Sequence, residues 1–158
     1  MTASRLVAVL LTLSFVAPLA AVGSRKAEYI GGTIAGMAEG TEGTLDTANP
    51  DHLRFQPEKK GQPAVQVPYT SITSLEYGQK AGRRVGVAIF VSPLALFSKK
   101  RKHFLTVSFN GSDGKEQAMV LELGKDIIRT ALTVVETRSG KAIEYQDDEA
   151  RKAGRGGN

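Results

Sequence analysis

A chain of 158 residues with 41% hydrophobic content can bury one core and is short for two domains. It has no cysteine and only two histidines, His52 and His103, which excludes a disulfide framework, a thiol nucleophile, and a thiolate or histidine-rich metal site. The formal charge is +5 and the apolar share is too high for wholesale disorder, so the sequence is that of a mildly basic globular protein.

Arg5 is the only charged residue before Arg25, and Leu6 to Val16 is an unbroken run of apolar and small hydroxyl residues. Pro18 interrupts it, and Ala21-Val22-Gly23 places small residues ahead of Ser24. This is the pattern of a secretory signal peptide comprising residues 1–23 and cleaved before Ser24. The alternative is an uncleaved N-terminal anchor, since about 20 apolar residues span a bilayer. Both readings place the rest of the chain outside the cytoplasm, periplasmic or secreted. Cleavage removes the Arg5 charge and leaves +4.

Residues 24–146 form the expected domain. Lys26 to Ile34 reads as a strand whose Gly31-Gly32 pair marks a bulge or a close backbone approach. Gly43 to Thr47 and His52 to Phe55 read as a hairpin around Asn49-Pro50-Asp51, with Leu53 and Phe55 on one face and His52 and Arg54 on the other. Val65 to Val67 and the Ile72/Leu75 segment are further short strands. Val85 to Val91 is continuously apolar, as a buried strand would be. His103 to Phe109 and Gln117 to Leu123 alternate in period two around the Asn110 to Gly114 loop, a second hairpin.

The period then changes. Ile127, Ile128, Ala131, Leu132 and Val135 make one stripe of an α-helix near 125–139, with Asp126 at its positive end, Arg138 at its negative end and Gly140 as its cap. Lys141 to Gln146 either adds a short strand or packs alongside. Residues 147–158, DDEARKAGRGGN, hold no apolar residue larger than alanine and are expected to be a disordered polar tail.

About seven short strands followed by one amphipathic helix resembles the pleckstrin-homology-like (PH-like) order, as does the stretch from Lys102 through the helix, which is similar to small exported bacterial PH-like proteins. The resemblance implies a mainly β fold: a bent antiparallel barrel or sandwich capped by one C-terminal helix. It also implies an adaptor or binding role. Two departures qualify it. There is no Trp for the last helix, and the loop Met37 to Gly43 is acidic, so phosphoinositide binding at the usual place is not implied. Lipocalin-like and oligonucleotide-binding barrels are the alternatives to this fold, disfavoured by the late single helix.

Function points to the stretch between Glu76 and Asp113. It carries Lys80, Arg83, Arg84, Lys99, Lys100, Arg101 and Lys102 and no acid. Between the two basic clusters lies the apolar run that ends in Pro93-Leu94-Ala95-Leu96-Phe97, too short to span a bilayer but able to enter an interface. Lys80, Arg83, Arg84, Leu94, Leu96, Phe97 and Lys99 to Lys102 are therefore the expected binding residues. The partner is an anionic lipid surface or an envelope protein, with nucleic acid disfavoured by export and by the lack of evident stacking aromatics. The bland reading makes 85–91 a core strand and 99–102 a solvated turn.

No catalytic constellation, metal set or cofactor motif emerges, so the chain reads as non-enzymatic. Ser71, Ser74 and Ser108 lack a nucleophile-elbow context, and Gly111 to Gly114 lacks calcium-ligand spacing. Glu39/Glu42 and Asp147/Asp148 read as solvating pairs. His103, beginning a strand beside four cations, is expected to resist protonation. The rival function is a small-ligand carrier or hydrolase using the barrel interior, which requires an apolar cavity with converging polar groups.

Overall fold

The computed structural model describes residues 25–79 and 102–156. Its eight strands are β1 (Arg25–Gly32), β2 (Thr41–Asp46), β3 (His52–Pro57), β4 (Val65–Pro68), β5 (Ile72–Gly78), β6 (Phe104–Asn110), β7 (Glu116–Leu123) and β8 (Ile143–Tyr145). Helix α1 (Ile128–Ser139) precedes β8, and helix α2 (Asp148–Arg155) follows it. The strands form one sheet in the order β4-β3-β2-β1-β7-β6-β5-β8. Two antiparallel meanders, β1 to β4 and β5 to β7, are joined where β1 pairs with β7, and the sheet curls into a half-barrel. The fold is thus mainly β, bent and helix-capped; among the described residues it makes a strand within Lys141 to Gln146, which the pattern left open, and adds helix α2.

Local chemistry accounts for the turns. Asn49 Oδ1 accepts from the backbone N–H groups of Asp51 at 2.8 Å and His52 at 3.2 Å, and Asp46 Oδ1 accepts from Ala48 N at 2.7 Å. These side chains close the β2–β3 hairpin and set Leu45 opposite Phe55. A bulge falls at Ile30, immediately before the glycine pair of β1, where the β1–β7 register shifts between Tyr29 and Gly31. Gly32 has φ +145°, and a Cβ there would lie 2.3 Å from the Ala118 carbonyl, so only glycine admits this approach.

The concave side of the half-barrel is filled. Leu53, Phe55, Val67, Leu75, Tyr77, Leu105, Val107, Met119 and Leu121 are each at most 1% exposed. Helix α1 buries Ile128, Ala131, Leu132 and Val135 into the same cluster, as its 3.6-residue stripe requires. Gly140 caps it in the left-handed conformation, its N–H on the Glu136 carbonyl at 3.0 Å. The helix begins at Ile128 because Lys125 to Ile127 form a turn, in which Ile127 N donates to Gly124 O. Arg138 ties the far end of α1 to the barrel. Its guanidinium donates to the Thr47 and Asn49 carbonyls at 2.5 and 2.6 Å and lies over the Tyr69 ring.

The β6–β7 hairpin appears as expected, in the register Leu105↔Leu121 and Val107↔Met119. Both of its faces are buried. Phe104, Thr106, Ser108, Ala118 and Val120, on the side away from the α1-packed core, are no more than 6% exposed. The expected strand Val85 to Val91 lies outside the described residues; β5 pairs directly with β6, so the sheet has no vacancy between them.

The tail departs from expectation. Residues 148–155 are helical, and Asp147 Oδ1 caps the helix by accepting from Ala150 N at 2.7 Å. Ala150 and Gly154 face inward, where small side chains suffice to bury a face. A Cβ on Gly154 would lie 2.8 Å from Tyr145 and 3.0 Å from Leu132, so the backbone itself packs on these residues. Arg155 lies over the Tyr145 ring and reaches Glu136 at 3.4 Å. Ahead of it, Lys141 to Gln146 supplies β8, which pairs with β5 in parallel.

Candidate functional site

The basic–apolar stretch is inserted at a defined place. β5 and β6 are directly paired neighbours, with Gly78 opposite Phe104 at their common end. Antiparallel neighbours need a connection of only about two to five residues. The whole of 79–103 is interposed instead. Lys80, Arg83, Arg84, Leu94, Leu96, Phe97, Lys99, Lys100 and Arg101 lie outside the described residues. Lys102, the last of the set, is described at the root of β6, its Nζ 2.6 Å from Glu122 Oε2.

That ion pair belongs to a row the sequence pattern did not expose. Glu28 stands opposite Glu42 on β2 and opposite Glu122 on β7, so three carboxylates cross three adjacent strands on the face away from the α1-packed core. They line a cleft of about 210 Å³ with Lys26 and Glu58. Burial, and then the Glu122 charge, hold the Glu28 carboxyl above the usual carboxylate range, while Lys102 pulls it back. Read singly, each glutamate is a solvated position, and Glu42 belongs to the expected acidic loop, whereas the structure places it in β2; only the pairing register brings the three together.

On the core side of the same sheet end, Tyr77 and His103 meet. The fully buried Tyr77 places its hydroxyl 2.6 Å from His103 Nδ1, and the rings stack at 6.1 Å and 12°. Tyr145 of β8 meets Tyr77 edge-on at 5.9 Å. Burial pushes the Tyr77 hydroxyl up to about 12. His103 is held below the usual imidazole range, chiefly by burial and then by Lys125, with Glu122 opposing. The expected resistance to protonation is present; its leading cause is desolvation, and among the described residues the cation that adds to it is Lys125.

Four of the other polar candidates serve the fold. Ser71 Oγ donates to the Pro68 carbonyl at 2.8 Å, Ser108 is buried in β6, Asp113 accepts from Lys115 N in the β6–β7 turn, and Asp147 caps α2. Among the described residues no group of three or more His, Asp or Glu could hold a metal ion. The half-barrel interior is occupied by side chains, which counts against a ligand held inside it. A surface cleft of about 660 Å³ runs beside β4, lined by Ile34, Val65, Gln66, Thr70, Phe109 and Asn110 among others, with no charged residue. No protein-family model matches the chain, and the search of curated proteins also finds no match.

Proposed function

We propose that this protein is an exported, non-enzymatic PH-like binding domain that docks on an anionic membrane surface through the stretch between β5 and β6. One observation carries the reading. Two strands that pair directly are separated in sequence by residues 79–103, far beyond what their connection needs, and this excess contains seven cations, no acid and the Leu94, Leu96 and Phe97 side chains. Basic residues attract anionic headgroups, and the apolar ones gain by entering the interface. The meander order β4-β3-β2-β1 and β7-β6-β5 with a following helix supports the PH-like assignment, and the filled interior supports a surface rather than a cavity as the working part.

Lys102 is already engaged by Glu122, so Lys99, Lys100 and Arg101 are the residues to change. At about 1 kcal/mol per cation near an anionic surface, replacing these three by Gln weakens binding to phosphatidylglycerol vesicles about 100-fold. Thermal stability stays unchanged. Undiminished vesicle binding by the triple variant refutes the proposal. Binding to an acidic envelope protein but not to vesicles transfers the same surface to a protein partner.

A further inference from the structure

We propose that His103 and Tyr77 form an acid-sensitive latch that holds together the β5–β6 end from which the basic stretch departs. Tyr77 is fully buried, and its hydroxyl has one described partner, His103 Nδ1 at 2.6 Å. The hydroxyl has no second acceptor among the described residues, so the tyrosine donates to Nδ1, and the proton of the neutral ring sits on Nε2. A second ring proton, on Nδ1, sets two donors against each other. The tyrosine must then turn to accept, which leaves its own proton without an acceptor among the described residues.

The latch sits where it controls strand pairing. Tyr77 pairs with Leu105 and Gly78 with Phe104, and the His103 carbonyl accepts from Leu123 N at 2.7 Å. The state of one imidazole therefore bears on the junction of β5, β6 and β7. The surroundings resist its charging. Lys102 precedes it and holds the β7 carboxylate Glu122, the anion among the described residues that favours protonation. Lys125, in the turn before α1, opposes it. On β8, Tyr145 supplies an uncharged ring edge against Tyr77, and Arg155 of α2 lies over that second ring. Desolvation and Lys125 keep the latch closed at neutrality, and the holding effect is lost as pH falls below the ordinary imidazole value of about 6.5.

The test is hydrogen exchange on the full chain at pH 7.5 and 5.5, corrected for the intrinsic pH dependence of exchange. It compares Tyr77, Gly78, Phe104 and Leu105 with the opposite end of the same strand pair, Ile72 and Phe109. In the unmodified chain, protection at the latch end falls about tenfold at pH 5.5 while the opposite end holds, the loss expected when a buried donor is left unpaired. His103→Gln keeps an acceptor but cannot titrate, and its protection is the same at both pH values. Tyr77→Phe has weaker protection that no longer responds to pH. The imidazole of Tyr77→Phe, followed by NMR, titrates at higher pH than that of the unmodified chain. Unmodified protection that ignores pH, or a glutamine variant that still loses it, overturns the latch. Should the glutamine variant fail to fold, the imidazole comparison decides alone: equal midpoints refute the proposal. This outcome is independent of whether the chain binds vesicles.

Discussion

Replacing Glu28 by Gln is expected to stabilise the fold at neutral pH, although a glutamate is normally harmless on a solvated sheet face. Glu28 is the middle of three carboxylates, directly opposite Glu42 and Glu122. Like charges directly opposed across strands cost roughly 0.2–1 kcal/mol per pair. Two pairs give about 1 kcal/mol, reduced by the attraction of Lys102 and by water around partly exposed side chains. A gain of about 0.5 kcal/mol remains, a rise in Tm of about 2 °C. The pH dependence fixes the cause. Because the Glu28 carboxyl is held above its usual range, the folded state takes up its proton at higher pH than the unfolded chain does. The repulsion therefore fades as pH falls through the carboxylate range, and the advantage of Glu28→Gln closes by about pH 4. Urea denaturation followed by circular dichroism at pH 7 and pH 4 measures this. A variant less stable than the parent at pH 7, or an advantage that persists at pH 4, refutes the reasoning.

Leu132→Ala removes a side chain only 2% exposed between α1, the sheet and α2, and is expected to cost about 3 kcal/mol in urea denaturation. Gly154→Val forces α2 away from Tyr145 and Leu132 and costs about 1–3 kcal/mol. Deleting residues 148–158 also lowers the urea midpoint, because it uncovers the Tyr77, Tyr145 and Leu132 surfaces on which Gly154 packs; an unchanged midpoint contradicts the docking of α2.

Elements whose signal is local were legible. The β6–β7 hairpin follows from period-two alternation around a turn-rich loop, and α1 follows from the 127/128/131/132/135 stripe with Arg138 and Gly140 at its end. The glycine pair of β1 marks the close approach to Ala118, where Gly32 leaves no room for a Cβ, and follows directly on the bulge at Ile30. Helix α2 was missed because it docks through Ala150 and Gly154, and a composition test looks for large apolar residues. Its signal lay instead in the capping Asp147, the acids Asp148 and Glu149 in the first turn, and Lys152 and Arg155 in the last. The glutamate row and the Tyr77–His103 contact depend on register between strands far apart in sequence, which no local pattern encodes. The basic–apolar stretch was legible as composition; the added structural fact is that it joins two strands already paired.

The central claim is that this inserted stretch binds an anionic surface. The most direct measurement is co-sedimentation of the chain from residue 24 onward with phosphatidylglycerol-containing and purely zwitterionic vesicles, at low and high salt. The account predicts binding to the anionic vesicles alone, lost as salt screens the cations within a Debye length of about 10 Å at 0.1 M. No sedimentation with anionic vesicles at low salt, or equal binding to both kinds, would contradict it.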